Sequence, residues 1–472
     1  QDQLQWAVTL IKQFTHVLPW APDPARALRY FDQFLDRAAS LPAETLAEFG
    51  RPESLRDLAR LLGSSAFLWE DLLRARLQTL LPVLAHWRTR PVRGRAELQA
   101  DLKRRLAAAA QADAEALRRV LDDFKSEELL LIDTKRLLDP ALTLEAFSAA
   151  LADLAEALVD EGVQAVRARL LASAAAPRAE GGTEVPLAVM GLGKFGGREM
   201  GHASDLELLF VYGDAAATAP GGSEPGQFFD EVVRRFTELL PAQAEGIFHV
   251  DLRLRPHGGK GGLASPLWAL RDYYRPGGDA APFERQALLK LRFVAGDPGL
   301  GRAVEELRDR FVWSGEPWDR ETALRLRERQ VRELVPPGRF NVKLSRGGLV
   351  DVEYTAQYLQ ILHGGERPAL GTPETLLALD RLAAAGVLSA GEHTHLREGY
   401  LFWREVSDGL RMVRGHAGDL LLPDPQSDAF GFLARRLAYP GTRPEASAAL
   451  AADVERHRAR VAAIYDARLR TS

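Results

Sequence analysis

Residues 188–212 read A-V-M-G-L-G-K-F-G-G-R-E-M-G-H-A-S-D-L-E-L-L-F-V-Y, and the rest of the chain is best understood from this stretch. A short apolar segment, 187–190, leads into a glycine-rich turn, and a second apolar segment begins at Asp205. Apolar runs of about four to eight residues bounded by glycine predict buried β-strands. Because side chains alternate along a strand, Asp205 and Glu207 are expected on one face at its beginning. The stretch therefore predicts two strands, a glycine turn and a pair of carboxylates.

A third carboxylate comes from a later strand, predicted over 248–255 with the sequence F-H-V-D-L-R-L-R. Alternation puts Asp251, Arg253 and Arg255 on one face of that strand. An isolated Asp in this setting often forms only a salt bridge with its Arg neighbours. Combined with the earlier pair, however, it completes a set suited to holding divalent ions, which clamp the attacking and leaving oxygens during transfer at phosphorus. The candidate catalytic and metal-binding residues are Asp205, Glu207 and Asp251, with Mg²⁺ as the expected ion because it prefers oxygen ligands.

The glycine turn is the candidate phosphate-binding element. Backbone N–H groups in such a turn can hold an anion, and basic side chains nearby can neutralise its charge. Lysine is sparse in this arginine-rich chain, so each lysine is informative where it occurs. The candidate nucleotide-binding residues are Gly196, Gly197, Ser204, Lys194, Arg253, Arg255 and Lys343.

Two other glycine-loop functions are disfavoured. The glycines at 191, 193 and 196 match the spacing of a dinucleotide-binding turn, but that fold needs a helix next and an acid about 20 residues on, at the end of the second strand. Here the acids stand at the beginning of the second strand. A P-loop is disfavoured as well, because Lys194 lacks the required glycine spacing and no Ser or Thr follows it. Nucleotidyl transfer fits the pattern better than either.

Composition narrows the remaining classes. The chain has 472 residues, 46% of them hydrophobic, a net charge of −4 and no cysteine. The absence of cysteine excludes disulfides, thiolate nucleophiles and cysteine-bound metals. The acidic balance gives no general footprint for nucleic acid, so an RNA-tailing enzyme is disfavoured. No apolar run approaches the roughly 18 residues that span a bilayer, and there is no signal-like start, so a cytoplasmic location without membrane contact is expected.

The predicted fold class is α+β and predominantly helical. Apolar residues at helical spacing, such as Phe147, Leu151, Leu154 and Leu158, run through the first part of the chain. Helical patterns return in the last part, including one that begins near Leu349. The predicted domains are a helical domain over 1–178, a catalytic domain with a small sheet over 179–304, and a second helical domain over 305–472.

Four segments together resemble the bacterial glutamine synthetase adenylyltransferase and adenylyl-removing enzyme family. They are G-L-G-K-F-G-G-R-E-M-G-H-A-S-D-L-E-L-L-F (191–210), V-D-L-R-L-R-P-H-G (250–258), F-E-R-Q-A-L-L-K-L-R (283–292) and N-V-K-L-S-R-G-G-L-V-D-V-E-Y (341–354). The resemblance implies a polymerase-β-like nucleotidyltransferase domain between helical segments. Full-length members carry two such modules, and this chain has one, so it resembles one half of a larger enzyme or a single-module relative.

What the resemblance implies for activity has two directions. One module attaches AMP from ATP to a tyrosine of glutamine synthetase, and the other removes it with phosphate; a non-catalytic nucleotide-binding regulator is a further alternative. Mg²⁺ is the expected ion, with Mn²⁺ as a substitute, and the partners are ATP or phosphate, glutamine synthetase and a regulatory signalling protein. The segments A-Q-Y-L-Q (356–360) and R-V-A-A-I-Y-D (460–466) favour the attaching half.

Two further features of the resemblance concern individual acids. Glu207 stands where the family usually has Asp, which lengthens that side chain by one methylene. Asp351 and Glu353, in the fourth segment, border the active site by resemblance and are candidates for supporting the metal-binding residues. Capping of a helix start is an alternative interpretation of Asp351.

Overall fold

The computed structural model describes residues 2–38, 51–66, 68–109, 113–173, 176–179, 182–214, 224–240, 248–256, 258, 261–414 and 420–470. Up to residue 173 the described chain is helical, as predicted. Its helices are α1 (Asp2–Val17), α2 (Pro24–Ala38), α3 (Pro52–Ser64), α4 (Arg74–Ala85), α5 (Arg95–Ala108), α6 (Ala114–Leu138) and α7 (Leu144–Ser173). Thr143 accepts a hydrogen bond from the backbone N–H of Ala146 and so begins α7.

A small mixed sheet follows the helices, also as predicted. Its strands in the described residues are β1 (Leu187–Gly191), β2 (Leu206–Tyr212), β3 (Val250–Asp251), β4 (Ala264–Pro266) and β5 (Arg292–Gly296). β1 lies between β2 and β5 and is antiparallel to both. β3 and β4 are parallel to β2 and lie along its other edge, β3 at its start and β4 at its end.

Helices cover both faces of the sheet. They are α8 (Gly193–Gly196), α9 (Pro225–Leu239), α10 (Leu267–Tyr273), α11 (Glu284–Leu288) and α12 (Pro298–Val312). Leu206, Leu208 and Phe210 of β2 pack with α7 and α9, whereas Leu209 and Val211 pack with α10 and α12. This is the alternation that the sequence predicts. Because both faces are covered along most of β2, only its first residues can present carboxylates to solvent.

The last part of the chain is a second helical region with its own apolar core. It comprises α13 (Arg320–Leu334), α14 (Leu349–Gly364), α15 (Thr375–Ala384), α16 (Ala390–Arg414), α17 (Asp428–Arg436) and α18 (Arg443–Leu469). Trp403 and Tyr400 of α16 are buried at its centre. The domain boundaries at 178 and 304 stay predictions, since one apolar cluster joins the N-terminal helices to the sheet. In the described residues no helix is both long and apolar enough to cross a bilayer.

The strand predicted over 248–255 is wrong in its extent. β3 ends at Asp251, and the chain then turns, because the backbone N–H and the guanidinium of Arg253 both donate to the Asp251 carboxylate. Such local side-chain hydrogen bonds compete with strand pairing. Arg253 and Arg255 therefore do not share a strand face with Asp251.

Candidate active site

The three predicted carboxylates lie on neighbouring strands at the start of β2. Glu207 is the register partner of Asp251 in the parallel pair β2–β3. Asp205 immediately precedes β2, and its Oδ1 lies 4.0 Å from Nδ1 of His249. Glu207 and Asp251 are adjacent across the pair, and Asp205 is two residues before Glu207 on the same side of the chain. The structure thus brings together the acids that the sequence singled out.

Their electrostatics differ. Partial burial raises the pKa of Asp205, and the nearby Asp251 carboxylate adds to the rise while His249 opposes it. Burial also raises the pKa of Glu207; Lys343 opposes this rise and Asp251 adds to it. The Asp251 carboxylate is thus close enough to repel both Asp205 and Glu207, an arrangement that a cation would relieve.

Asp251 is held differently, by a charge partner. Arg253 donates from Nη2 to Oδ2 at 2.6 Å and from Nε to both carboxylate oxygens at 3.0 Å. These hydrogen bonds hold the pKa of Asp251 below its ordinary value, against the effect of partial burial. As the side chains stand, no group of three acids or histidines among the described residues is arranged to enclose a metal ion.

The glycine turn is a packing device. Gly193 has φ of +50°, and a Cβ there would come within 1.3 Å of Oε2 of Glu207. A Cβ on Gly196 would meet the carbonyl oxygen of Lys290 at 1.9 Å. Only glycine lets the turn pass this close to its neighbours.

The N–H groups of the turn are already engaged. That of Gly196 donates to the carbonyl of Leu192 and that of Gly197 to the carbonyl of Gly193. Ser204 is buried, and its Oγ accepts from the N–H of Gly201. Hydrogen bonds within the protein are enough to explain how Gly196, Gly197 and Ser204 are arranged. Contact of these three residues with a nucleotide therefore stays a prediction.

Helix α16 clamps the loop between the turn and β2. Oδ1 of Asp408 accepts from the N–H of His202 at 3.2 Å, and Arg411 donates to the His202 carbonyl at 2.7 Å. Gly201 permits this approach, because a Cβ there would come within 2.5 Å of Asp408. The position of Asp205 is therefore set partly by a helix of the C-terminal region.

A cavity of about 330 Å³ opens beside Glu207, the one of the three acids that lines it. Glu207 and Lys194 contribute from the sheet side, and Lys343 and Glu353 from the C-terminal region. The complete lining is Gly193, Lys194, Glu199, Glu207, Leu254, Phe283, Gln286, Ala287, Lys290, Ala323, Leu326, Lys343, Glu353, Tyr354 and Gln357. Three lysines line the cavity, and two of them, Lys194 and Lys343, are close enough to Glu207 to lower its pKa.

The two lysines reach the cavity by different means. Lys194 lies within the turn itself, where burial lowers its pKa and three neighbouring cations lower it further: Arg411, Arg404 and Lys343. Lys343 is presented by a tight loop, in which Oδ1 of Asn341 accepts from the N–H groups of Lys343 and Leu344. A concentration of positive charge next to carboxylates suits a phosphate chain with bound cations.

The remaining predicted residues separate into two groups. Glu353 lines the cavity, whereas Asp351, two residues earlier on α14, points elsewhere: it pairs with Arg327 at 2.8 Å and accepts from the N–H of Gly347. Asp351 therefore stabilises the first turn of α14. Arg253 forms a salt bridge with Asp251 while most of its side chain is exposed to solvent. Arg255 donates to the carbonyl of Leu252. Neither arginine lines the cavity.

Comparison with known proteins identifies the family. Residues 55–307 match the family model described as glutamate-ammonia ligase adenylyltransferase. The chain belongs to this family. Residues 320–469 also match a model described as GlnD PII-uridylyltransferase.

Several relatives carry the name bifunctional glutamine synthetase adenylyltransferase/adenylyl-removing enzyme. The one from Burkholderia mallei is 32% identical over 403 residues, which are 81% of this chain and 42% of the relative. That from Xanthobacter autotrophicus is 34% identical over 385 residues, 78% of this chain and 37% of the relative. That from Streptomyces coelicolor is 36% identical over 293 residues, 60% of this chain and 29% of the relative. The chain thus spans less than half the length of these relatives.

Two sets of buried contacts at the cavity of this adenylyltransferase family member were not predicted from its sequence. Nζ of Lys290 lies 2.7 Å from Oε2 of Glu199 and 2.8 Å from Oγ1 of Thr375. Burial would raise the pKa of Glu199, but Lys290 holds it below its ordinary value. Nε2 of Gln286 donates to Oε1 of Gln357 at 2.8 Å. The rarity of lysine could have singled out Lys290; nothing in the local pattern marked the glutamines.

Proposed function

We propose that this chain is a nucleotidyltransferase module that attaches AMP from ATP to a tyrosine of glutamine synthetase. The observation that carries the proposal is the pairing of Glu207 with Asp251 beside Asp205, at the edge of a cavity that holds Lys194 and Lys343. The names of the family and of its relatives support ATP and glutamine synthetase as substrates. A small mixed sheet with acids at the start of one strand supports a polymerase-β-like catalytic domain.

The donor set fits a hard divalent cation. Burial and the nearby Asp251 carboxylate raise the pKa values of Asp205 and Glu207, and carboxylate oxygens are the ligands that Mg²⁺ prefers. Arg253 now pairs with Asp251 and would have to give way for all three to join one ion. When bound, Mg²⁺ or Mn²⁺ would neutralise charge on the phosphates and on the oxygens that attack and leave.

Side chains of the protein would supply the remaining contacts with the nucleotide. Lys194 and Lys343 would contact phosphate oxygens and stabilise the charge that moves onto the leaving diphosphate. The tyrosine oxygen forms a bond to the α-phosphorus as the bond from that phosphorus to the diphosphate breaks, and the phenolic proton passes to a base or to water. Clamping of the loop before Asp205 by Asp408 and Arg411 would hold the carboxylates in register with the nucleotide.

Removal of AMP is the second candidate, because the relatives are named for both activities and are more than twice as long as the matched region. In that direction an oxygen of phosphate forms a bond to the phosphorus of AMP-tyrosine as the bond from that phosphorus to the tyrosine oxygen breaks. The tyrosine oxygen takes up a proton, and ADP is the other product. The same carboxylates and lysines would serve. A non-catalytic regulator that retains nucleotide binding is the remaining alternative, and a regulatory signalling protein and a cytoplasmic location stay predictions.

Labelled transfer tests the proposal. The chain is incubated with α-labelled ATP, Mg²⁺ and glutamine synthetase, and in parallel with phosphate and labelled adenylylated synthetase. We expect label on the synthetase, reduced at least about a hundredfold by Asp205→Asn and unchanged by Asp279→Asn, an exposed acid that does not line the cavity. ADP formation in the parallel reaction alone would establish removal instead. If AMP is transferred in neither direction, the proposal that this chain is an enzyme is wrong.

A further inference from the structure

The active-site cavity is lined by both uncharged and charged side chains. The uncharged ones from α11, α13 and α14 and from the segment before α11 are here called the uncharged wall. The charged ones, here called the charged wall, include Lys194, Lys343 and Glu353. Phe283 and Leu326 are large apolar side chains that are 46% and 40% exposed, yet both line the cavity. An exposed aromatic and an exposed aliphatic side chain that line the same cavity are a suitable platform for a flat apolar ligand.

Two buried amides complete this wall. Gln286 and Gln357 are 7% and 9% exposed, and Nε2 of Gln286 donates to Oε1 of Gln357 at 2.8 Å. This contact does not use Oε1 of Gln286, an acceptor, or Nε2 of Gln357, a donor. Both residues line the cavity. The wall therefore presents a hydrogen-bond acceptor next to a donor, flanked by apolar surface.

The charged wall is close to the amides along the same helices. Glu353 precedes Gln357 by four residues on α14, so the two lie one turn, about 5.4 Å, apart on one face. Lys290 follows Gln286 by four residues. A ligand that spans the cavity would thus have charged groups near Lys194 and Lys343 and an uncharged hydrogen-bonding edge near the amides.

We propose that Gln286 and Gln357 read the base of the bound nucleotide, with Phe283 and Leu326 packed against its faces. The inference rests on the proposed function and names how that site selects its nucleotide. Adenine is the matching base, because its N6 amino group donates next to the N1 acceptor. In the same orientation guanine presents the O6 acceptor to Oε1 of Gln286 and the N1–H donor to Nε2 of Gln357. Both contacts are then mismatched, which is costly in a buried site.

The acceptor tyrosine is the competing occupant of this wall. A phenol ring could pack on Phe283, and its hydroxyl could donate to Oε1 of Gln286 while it accepts from Nε2 of Gln357. We commit to the base, because a triphosphate held by Lys194 and Lys343 brings its own base into the same cavity.

Binding of ATP and GTP in the presence of Mg²⁺ tests the inference without depending on transfer. Gln357→Glu keeps the contact with Gln286 and turns the donor into an acceptor, which complements the donors of guanine. We expect the ratio of ATP to GTP affinity to fall at least about tenfold. Gln426→Glu, the same change at an exposed loop position, should leave the ratio unchanged.

A second variant covers a failure of Gln357→Glu to fold. Phe283→Ala alters an exposed side chain, and ATP affinity should fall about tenfold if the ring stacks on the base. An unchanged ratio in a folded Gln357→Glu protein, or a change only in the KM for glutamine synthetase, would overturn the inference. If the wild-type chain prefers ATP but transfers nothing, the inference stands and the proposed function fails.

Discussion

At the scale of single residues, the carboxylate site depends on a missing side chain. Gly193 adopts φ of +50°, which side chains of L-residues rarely tolerate, and the space that its Cβ would fill is occupied by the carboxylate of Glu207. Glu207 is one methylene longer than Asp, and the turn accommodates that extra length only because position 193 is bare.

Gly193→Ala should therefore displace Glu207. We expect transfer activity to fall at least about a hundredfold, with a loss of about 1–2 kcal/mol in the free energy of unfolding from backbone strain. Activity and urea denaturation measure the two effects. Gly391→Ala is the matched control, since a Cβ there meets nothing within 4 Å. Full activity in the Gly193 variant would show that Glu207 is dispensable.

At the scale of helices, one contact ties the beginning of α16 to the end of α18. Glu392 accepts from Nε and Nη2 of Arg468, each at 2.7 Å, and from the N–H and hydroxyl of Ser389. The Arg468 hydrogen bonds lower the pKa of Glu392 to about 2. Since α16 also clamps the loop before Asp205, this contact supports the site from a distance.

The contact should contribute stability that depends on pH. A pKa lowered from 4.5 to about 2 in the folded state gives stability that is fully present above pH 4.5 and is lost as the pH falls towards 2. Glu392→Gln removes this contribution, so its deficit in the free energy of unfolding should be largest at pH 6 and shrink by pH 3.

Urea denaturation at both pH values measures the deficit. Glu455→Gln, at an exposed pair with Arg458, should change stability by less than about 0.5 kcal/mol at either pH. A deficit for Glu392→Gln that is the same at both pH values would contradict the assignment of the shift to this carboxylate.

At the scale of the whole molecule, one buried carboxylate joins the N-terminal helices to the sheet. Glu156 of α7 is 1% exposed and receives three guanidiniums, all within 2.7 Å: Arg95, Arg198 and Arg292. Arg198 belongs to the glycine turn, and Arg292 also donates to the carbonyl of Gly196. The helical support and the active-site turn are therefore one electrostatic unit.

Glu156→Gln leaves these three cations without their buried counter-charge. We expect a loss of about 3–5 kcal/mol in the free energy of unfolding and a lower activity, because Arg198 no longer anchors the turn. Asp160→Asn, one turn along α7 and hydrogen-bonded to Gln99, should cost about 1 kcal/mol. Equal small losses in the two variants would show that the three-arginine cluster is not a structural anchor.

A feature could be predicted from the sequence when the interactions behind it join residues that are close together in the chain. Alternation along β2 was predicted, because strand periodicity is local. The grouping of its carboxylates with Asp251 was predicted from the ion-binding chemistry that three acids share, whereas the register between Glu207 and Asp251 is a tertiary contact. The strand around Asp251 was predicted too long, because its end depends on where the Arg253 side chain turns. Asp351 was grouped with Glu353, although their positions on opposite sides of α14 send only Glu353 into the cavity.

The sequence by itself determined the helical and strand segments, the three acids and the family. Only the tertiary structure decided which distant side chains meet them: Lys343 and Glu353 in the cavity, Asp408 and Arg411 on the loop, and the Gln286–Gln357 pair. The physical reason is that the periodicity of apolar residues and the conformation of turns depend on neighbouring residues in the chain. A contact between segments far apart in the chain exists only once the helices have packed against the sheet.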